Sequence, residues 1–165
     1  MMPGSSIDLS ACLTDALIAV VPGLRTHCRD AWTVIGSAAA YLAGAAVTVA
    51  DLDVLTSMRD AEIMAEHWQA HRDVDYVPAD DSRFRSRFAR FHFGELPVEV
   101  MGGLELRETD DWVPVRVDEL VHVPVAGVVV PIPSIAEQIR VLESFGRSKD
   151  RLRAELLKAL HTRGF

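Results

Sequence analysis

The residues that decide the fold are 32–55, WTVIGSAAAYLAGAAVTVADLDVL. Residues 32–35 are apolar and partly β-branched, which predicts a short buried strand that ends at Gly36. Residues 37–43 predict a helix, and residues 50–55 predict a second strand. The expected order of elements is therefore a strand, a Gly-Ser turn, a helix and another strand.

Two acidic residues, Asp51 and Asp53, lie in the second of these strands. Residues two apart on a strand project from the same face, so the two carboxylates are parallel and repel each other unless a cation lies between them. Mg²⁺ suits this place, because it prefers oxygen ligands and leaves its other positions to water and phosphates. An Asp-x-Asp pair alone also fits the solvent face of an edge strand, since carboxylates mostly stay exposed.

Two further features favour the metal interpretation. Gly36 and Ser37 lie where a strand meets a helix, and there a missing side chain lets the backbone approach a ligand while free N–H groups favour phosphate. Glu99 interrupts the apolar residues 96–101, which predict another strand, and an acid in such a strand needs a partner or a metal. The sequence thus predicts three acids beside a phosphate-binding turn.

These residues resemble the nucleotidyltransferase superfamily of the DNA polymerase beta type. The shared pattern is a hydrophobic-Gly-Ser turn at 34–37, a spacer of thirteen residues, Asp-x-Asp at 51–53 and a third acid at Glu99. Residues 133–160 also resemble the helical tail of small prokaryotic members, including those related to abortive-infection and toxin–antitoxin nucleotidyltransferases. The matching pieces frame residues 32–160.

The resemblance implies transfer of a nucleoside monophosphate from a nucleoside triphosphate such as ATP to an acceptor, usually a hydroxyl, with pyrophosphate leaving. It implies a site for two Mg²⁺ ions, which suits an in-line displacement. The residues that it implies as metal ligands and catalytic residues are Asp51, Asp53 and Glu99. Glu99 would complete the metal on the nucleophile side and help to deprotonate the acceptor, while Gly36 and Ser37 would hold the triphosphate.

The sequence departs from the family pattern before the first aspartate. Family members often carry a basic residue there, whereas residues 44–50 contain no Arg or Lys. The third acid is also Glu instead of the commoner Asp, which lengthens its side chain by one methylene. The charge of the triphosphate must therefore be neutralised by cations from elsewhere in the chain.

Two places in the sequence offer such cations. Three arginines alternate with Phe84, Ser86 and Phe88 along a predicted strand, and they are Arg83, Arg85 and Arg87. We expect Arg87 to bind the triphosphate, although an edge strand kept soluble by charge explains the pattern equally well. The alternation of arginines with other residues is interrupted at Ala89, where we expect a β-bulge.

The second place is Lys149, near the start of the last helix. Lys149 is either a surface residue of that helix or, by the resemblance, a ligand of nucleotide phosphate.

The rest of the pattern predicts an α+β domain with a mixed, nucleotidyltransferase-like β-sheet and flanking helices. An N-terminal helix ends at Pro22, and short antiparallel strands occupy residues 83–130. A pair of C-terminal helices covers 134–161. We expect one domain over residues 1–165, with a core at 30–130.

The composition narrows the possible partners. The chain has 165 residues, 17 Lys and Arg against 24 Asp and Glu, and a formal charge of −7, which argues against coating nucleic acid through bulk charge. Its two cysteines lie in no metal-binding or redox cluster. Neither a signal peptide nor an apolar membrane span is evident, so we expect a cytoplasmic protein without membrane contact.

The sequence leaves the acceptor and the activity open. The acceptor is a small molecule, an RNA or a protein, and the short chain suggests that a partner protein brings a large one. The leading hypothesis is a Mg²⁺-dependent nucleotidyltransferase. The alternatives are a catalytically weak or inactive module that binds nucleotide or protein on the same fold, and a metal-dependent phosphohydrolase that uses the same acids.

Overall fold

The structure is a computed structural model that describes residues 9–79 and 81–162. The helices are α1 (Leu9–His27), α2 (Gly36–Leu42), α3 (Met58–His67), α4 (Ile135–Phe145) and α5 (Ser148–Thr162). The strands are β1 (Thr33–Ile35), β2 (Leu52–Thr56), β3 (Phe84–His92), β4 (Pro97–Glu108), β5 (Asp111–Pro114), β6 (Leu120–Val125) and β7 (Val128–Pro133). Among the described helices, none is long and apolar enough to cross a bilayer.

Five strands form a mixed sheet in the order β1-β2-β4-β3, with β5 paired to the far end of β4. Strand β2 runs parallel to β4, whereas β1 and β3 are antiparallel to their neighbours. Strands β6 and β7 form a separate hairpin. The predicted α+β architecture, with a mixed sheet, flanking helices and a C-terminal helical pair, is confirmed.

The core lies against one face of the central strands. Four side chains on this face are at most 1% exposed: Leu52, Val54, Val98 and Val100. Apolar residues of α1 and α3 pack in the same cluster. Because side chains alternate along a strand, Asp53 and Glu99 belong to the opposite face. Burial of the apolar face therefore fixes the register that directs both acids to one side of the sheet.

The N-terminal helix is longer than predicted. We expected it to end at Pro22, but α1 continues to His27 with Pro22 inside it. Proline removes one backbone donor from a helix. Val20 and Leu24, on either side of Pro22, are 0% exposed. We attribute the continuation to this packing, which outweighs the missing hydrogen bond.

The prediction of a β-bulge at Ala89 is wrong, because Ala89 pairs regularly with Val100 of β4. Register shifts between Arg85 and Arg87, where β4 contributes one additional residue, and pairing is regular from Arg87 to the end of β3. Arg85, Arg87, Ala89 and Phe91 share one face of β3. That face is exposed at the arginines but buried at Ala89 and Phe91, where Trp68 packs edge-on against Phe91. The change from arginines to apolar residues along this face therefore arises because only its second half is buried, and the side chains do not switch faces.

Candidate functional site

Three carboxylates meet on the open face of the sheet. Asp51 precedes β2, Asp53 lies in β2, and Glu99 lies directly beside Asp53 in β4. One oxygen from each of the three lies within 4.8 Å of the others. The parallel pairing of β2 and β4 thus brings together two acids that are 46 positions apart in the sequence.

Burial and mutual repulsion disfavour the charged forms of Asp53 and Glu99. Desolvation and the charge of Asp51 raise the pKa of Asp53 well above its usual range. Desolvation and Asp51 also raise the pKa of Glu99, although Arg90 opposes this shift. The Oδ1 atom of Asp53 is buried and accepts no hydrogen bond from the described residues. A cluster of oxygen ligands with one unsatisfied buried acceptor fits a hard divalent cation.

Gly36 makes room for the central carboxylate. Its φ of +71° is in the left-handed region, and a Cβ added there would lie 2.7 Å from Oδ2 of Asp53. A side chain at this position would thus be strained and would collide with the acid. Ser37 is 2% exposed, and its Oγ accepts a hydrogen bond of 3.4 Å from the backbone N–H of Ala50. The Gly-Ser turn therefore sets both the space around Asp53 and the residue before Asp51.

The acids line a cleft of about 440 Å³. Its aromatic lining consists of Tyr76, Phe84, Phe88 and Phe145. Lys149 and Arg153 also line it, one helical turn apart on α5, and neither makes an ion pair with a described residue. Arg147 differs, because it forms an ion pair of 2.6 Å with the fully buried Asp150. The cleft thus combines a carboxylate cluster, flat apolar walls and two cations that are free to bind an anion.

Of the four residues predicted to bind phosphate, three line the cleft and one does not. Lys149 lines the cleft, as do Gly36 and Ser37. Arg87 does not: its guanidinium forms an ion pair of 2.7 Å with Glu62 of α3. The pairing of β3 with β4 turns Arg87 toward the face that α3 covers, away from the acids. The expectation that Arg87 binds the triphosphate is therefore corrected. Among the described residues that line the cleft, the cations without an ion pair are Lys149 and Arg153.

Sequence reasoning missed Arg90 and Arg153. Arg153 follows Lys149 by four residues, a spacing that places both on one face of a helix. Arg90 lies opposite Glu99 in the antiparallel pair of β3 and β4, and its Nη1 is 3.3 Å from Oε2 of Glu99. The signal for Arg153 was present as helical spacing. The signal for Arg90 required the register of the two strands.

The same fold occurs in solved structures of other proteins. One is a candidate nucleotidyltransferase from Thermotoga maritima, with a TM-score of 0.66, 21% identity, and coverage of 90% of this chain and 94% of that chain. Another is an antigenic nucleotidyltransferase-like protein from Paracoccidioides brasiliensis, with a TM-score of 0.53, 13% identity, and coverage of 96% and 79%. The sequence matches no protein-family model and none of the curated proteins.

These likenesses establish the fold class. The chain has a nucleotidyltransferase fold. Within this chain, Gly36 adjoins Asp53, and Asp53 lies in one cluster with Asp51 and Glu99. At the identities observed, the likeness is one of fold and not of substrate. The resemblance to toxin–antitoxin members stays a prediction.

The raised pKa values predict how the metal-free protein responds to pH. Asp53 and Glu99 keep their protons to higher pH in the folded chain than in the unfolded chain, where carboxyls titrate near about 4. Stability is therefore lost as pH rises from that value through the raised pKa values. In thermal melts with EDTA, we expect Asp53→Asn to melt about 3 °C or more above the wild type near pH 8. The difference should shrink toward about pH 5, and a difference independent of pH would contradict this electrostatic explanation.

Proposed function

We propose that this protein is a Mg²⁺-dependent nucleotidyltransferase, which moves a nucleoside monophosphate from a nucleoside triphosphate to an acceptor hydroxyl. The observation that carries the proposal is the convergence of three carboxylates in a cleft that also holds two free cations. Carboxylates alone repel a triphosphate. Mg²⁺ held by the three acids would remove that repulsion, and Lys149 and Arg153 would neutralise further phosphate charge.

The acids are the proposed metal ligands. Asp51, Asp53 and Glu99 would hold two Mg²⁺ ions, which when bound stabilise the attacking and the leaving oxygen of an in-line displacement. Asp53 would be the ligand that most needs a cation, because its buried Oδ1 accepts no hydrogen bond from the described residues. Glu99 would lie on the side of the acceptor hydroxyl and help to remove its proton.

The other lining residues are proposed to bind the triphosphate. Ser37 accepts a hydrogen bond from Ala50 and keeps its own hydroxyl proton to donate to a phosphate oxygen. Lys149 and Arg153 supply two positive charges from α5. The aromatic walls suit the flat face of a nucleobase, for which ATP is a reasonable first probe. The acceptor remains a small molecule, an RNA or a protein.

Nucleotide transfer can be tested directly. The protein is incubated with Mg²⁺, nucleoside triphosphates labelled at the α-phosphate, and separate panels of small hydroxyl compounds, RNA and protein. We expect label to join one acceptor and pyrophosphate to appear in equal amount, and both to vanish for Asp51→Asn. Release of inorganic phosphate without an acceptor would indicate a phosphohydrolase instead. Triphosphate binding without turnover on any acceptor would indicate a binding module.

Lys149 and Arg153 give a prediction for nucleotide affinity. Lys149→Ala and Arg153→Ala should each weaken binding of a non-hydrolysable triphosphate about tenfold, since each removes one charge-assisted contact with phosphate. Arg151→Ala is the matched control, because Arg151 is an exposed cation on the same helix and does not line the cleft. Calorimetry in the presence of Mg²⁺ measures all three. Equal affinities for the three variants would remove α5 from the nucleotide site.

A further inference from the structure

Among the residues that the structure describes, Arg90 is the only cation that forms an ion pair with one of the proposed metal ligands. It is the register partner of Glu99, and the two side chains form an ion pair of 3.3 Å while only 20% and 12% exposed. A partly buried pair is screened less by salt than a surface pair. Arg90 therefore acts on Glu99 through both a directed hydrogen bond and its charge.

Tyr76 holds the guanidinium from its other side. The Cζ atom of Arg90 lies 4.2 Å from the centroid of the Tyr76 ring, which is the geometry of a cation–π contact. A planar guanidinium stacks on such a ring better than a lysine ammonium does. The side chain of Arg90 is thus fixed between an aromatic face and a carboxylate.

The loop that carries Tyr76 is tied to the strand that carries Arg90. The backbone N–H of Asp73 donates to the carbonyl of Arg90 at 2.8 Å, and Oδ2 of Asp73 lies 2.8 Å from Nε2 of His92. Oδ1 of Asp73 accepts from the backbone N–H of Tyr76 at 3.1 Å. These bonds place the Tyr76 ring over β3. The contacts form a continuous chain from Asp73 through Tyr76 and Arg90 to Glu99.

We propose that Arg90, held by Tyr76, is a positioning residue that orients Glu99 and weakens its hold on a divalent cation. This inference rests on the proposed function, because it concerns the same acids. Arg90 occupies one oxygen of Glu99. Its positive charge reduces the net formal charge of the three ionised acids from −3 to −2. The metal on the Glu99 side would consequently bind more weakly than the one held by the two aspartates, and would be exchanged more readily.

Removal of Arg90 should separate metal affinity from turnover. In calorimetric titrations with Mn²⁺ alone, Arg90→Met should bind the ion about threefold to tenfold more tightly than the wild type, because a nearby positive charge is gone. Transfer activity should fall, since Glu99 loses the bond that orients it. If Arg90 served only to stabilise the fold, its removal would weaken both Mn²⁺ binding and transfer activity.

Matched variants isolate the charge from the packing. Arg90→Lys keeps the charge, so it should leave Mn²⁺ affinity within about twofold of wild type and lower turnover only. Tyr76→Phe keeps the ring face and should leave Mn²⁺ affinity within about twofold of the wild type, whereas Tyr76→Ala should shift Mn²⁺ affinity in the direction of Arg90→Met. Arg87→Met is the control for β3, since Arg87 pairs with Glu62 outside the cleft. If Arg90→Met does not fold, Arg90→Gln takes its place.

The outcomes distinguish this inference from the function on which it rests. Tighter Mn²⁺ binding by Arg90→Met, with wild-type binding by Arg90→Lys and Arg87→Met, supports the inference. Unchanged or weaker binding by Arg90→Met overturns it and leaves the proposed function standing. The same holds if Arg90→Lys binds as tightly as Arg90→Met. A wild-type protein that binds no Mn²⁺ overturns both.

Discussion

Asp53→Asn is expected to lower nucleotidyl transfer by about 10³-fold or more. The amide keeps the shape of the side chain but removes its charge, and the cluster is left with two charged ligands, Asp51 and Glu99. Loss of metal-ion catalysis costs several kcal/mol of transition-state stabilisation, which corresponds to a rate change of this size. Pyrophosphate release under saturating Mg²⁺ and triphosphate measures it.

The matched control for this variant is Asp110→Asn. Asp110 is an exposed acid in the turn between β4 and β5, away from the cleft, so the same chemical change should leave transfer unaffected. Thermal melts show whether both variants fold. Asp53→Asn that folds and retains more than about a tenth of the wild-type rate would contradict the proposed role of this acid.

Gly36→Ala is expected to weaken Mn²⁺ binding about tenfold to 100-fold and to destabilise the protein. The new methyl group would lie 2.7 Å from Oδ2 of Asp53, so the carboxylate must shift from its present position beside the other two acids. A positive φ also costs a residue with a Cβ about 1–3 kcal/mol. Calorimetry with Mn²⁺ and thermal melts in EDTA measure the two effects separately.

Gly94→Ala is the control for the loss of a glycine. A Cβ at Gly94 would meet no atom within 4 Å, and its backbone is not in the left-handed region. Its stability and its Mn²⁺ affinity should therefore stay close to those of the wild type. Wild-type Mn²⁺ affinity in Gly36→Ala would show that the turn does not shape the acid cluster.

Local sequence patterns were sufficient to predict the acid cluster. Alternation along a strand placed Asp51 and Asp53 on one side, and the apolar residues around Glu99 marked a second strand. The structure brings the three acids together because those apolar residues pack on a common core. The Gly-Ser turn was also visible in the sequence, although its close approach to Asp53 was not.

The cations near the acids could not be predicted in the same way. Both faces of β3 contain arginine, and only its pairing with β4 decides which arginine lies beside Glu99. That pairing turns Arg90 toward the acids and Arg87 toward α3. The position of Tyr76 depends on hydrogen bonds between a polar loop and β3, which leave no periodic pattern in the sequence. Such contacts follow from tertiary packing alone.

A crystal structure with Mn²⁺ and a non-hydrolysable nucleoside triphosphate tests the central claim most directly. Anomalous scattering locates Mn²⁺ independently of the surrounding atoms. We predict anomalous density among the carboxylates of Asp51, Asp53 and Glu99, with the phosphates in contact with that metal and with Lys149 or Arg153. Ordered triphosphate elsewhere on the protein, or a cleft that contains nucleotide but no metal at the acids, would contradict the proposed function.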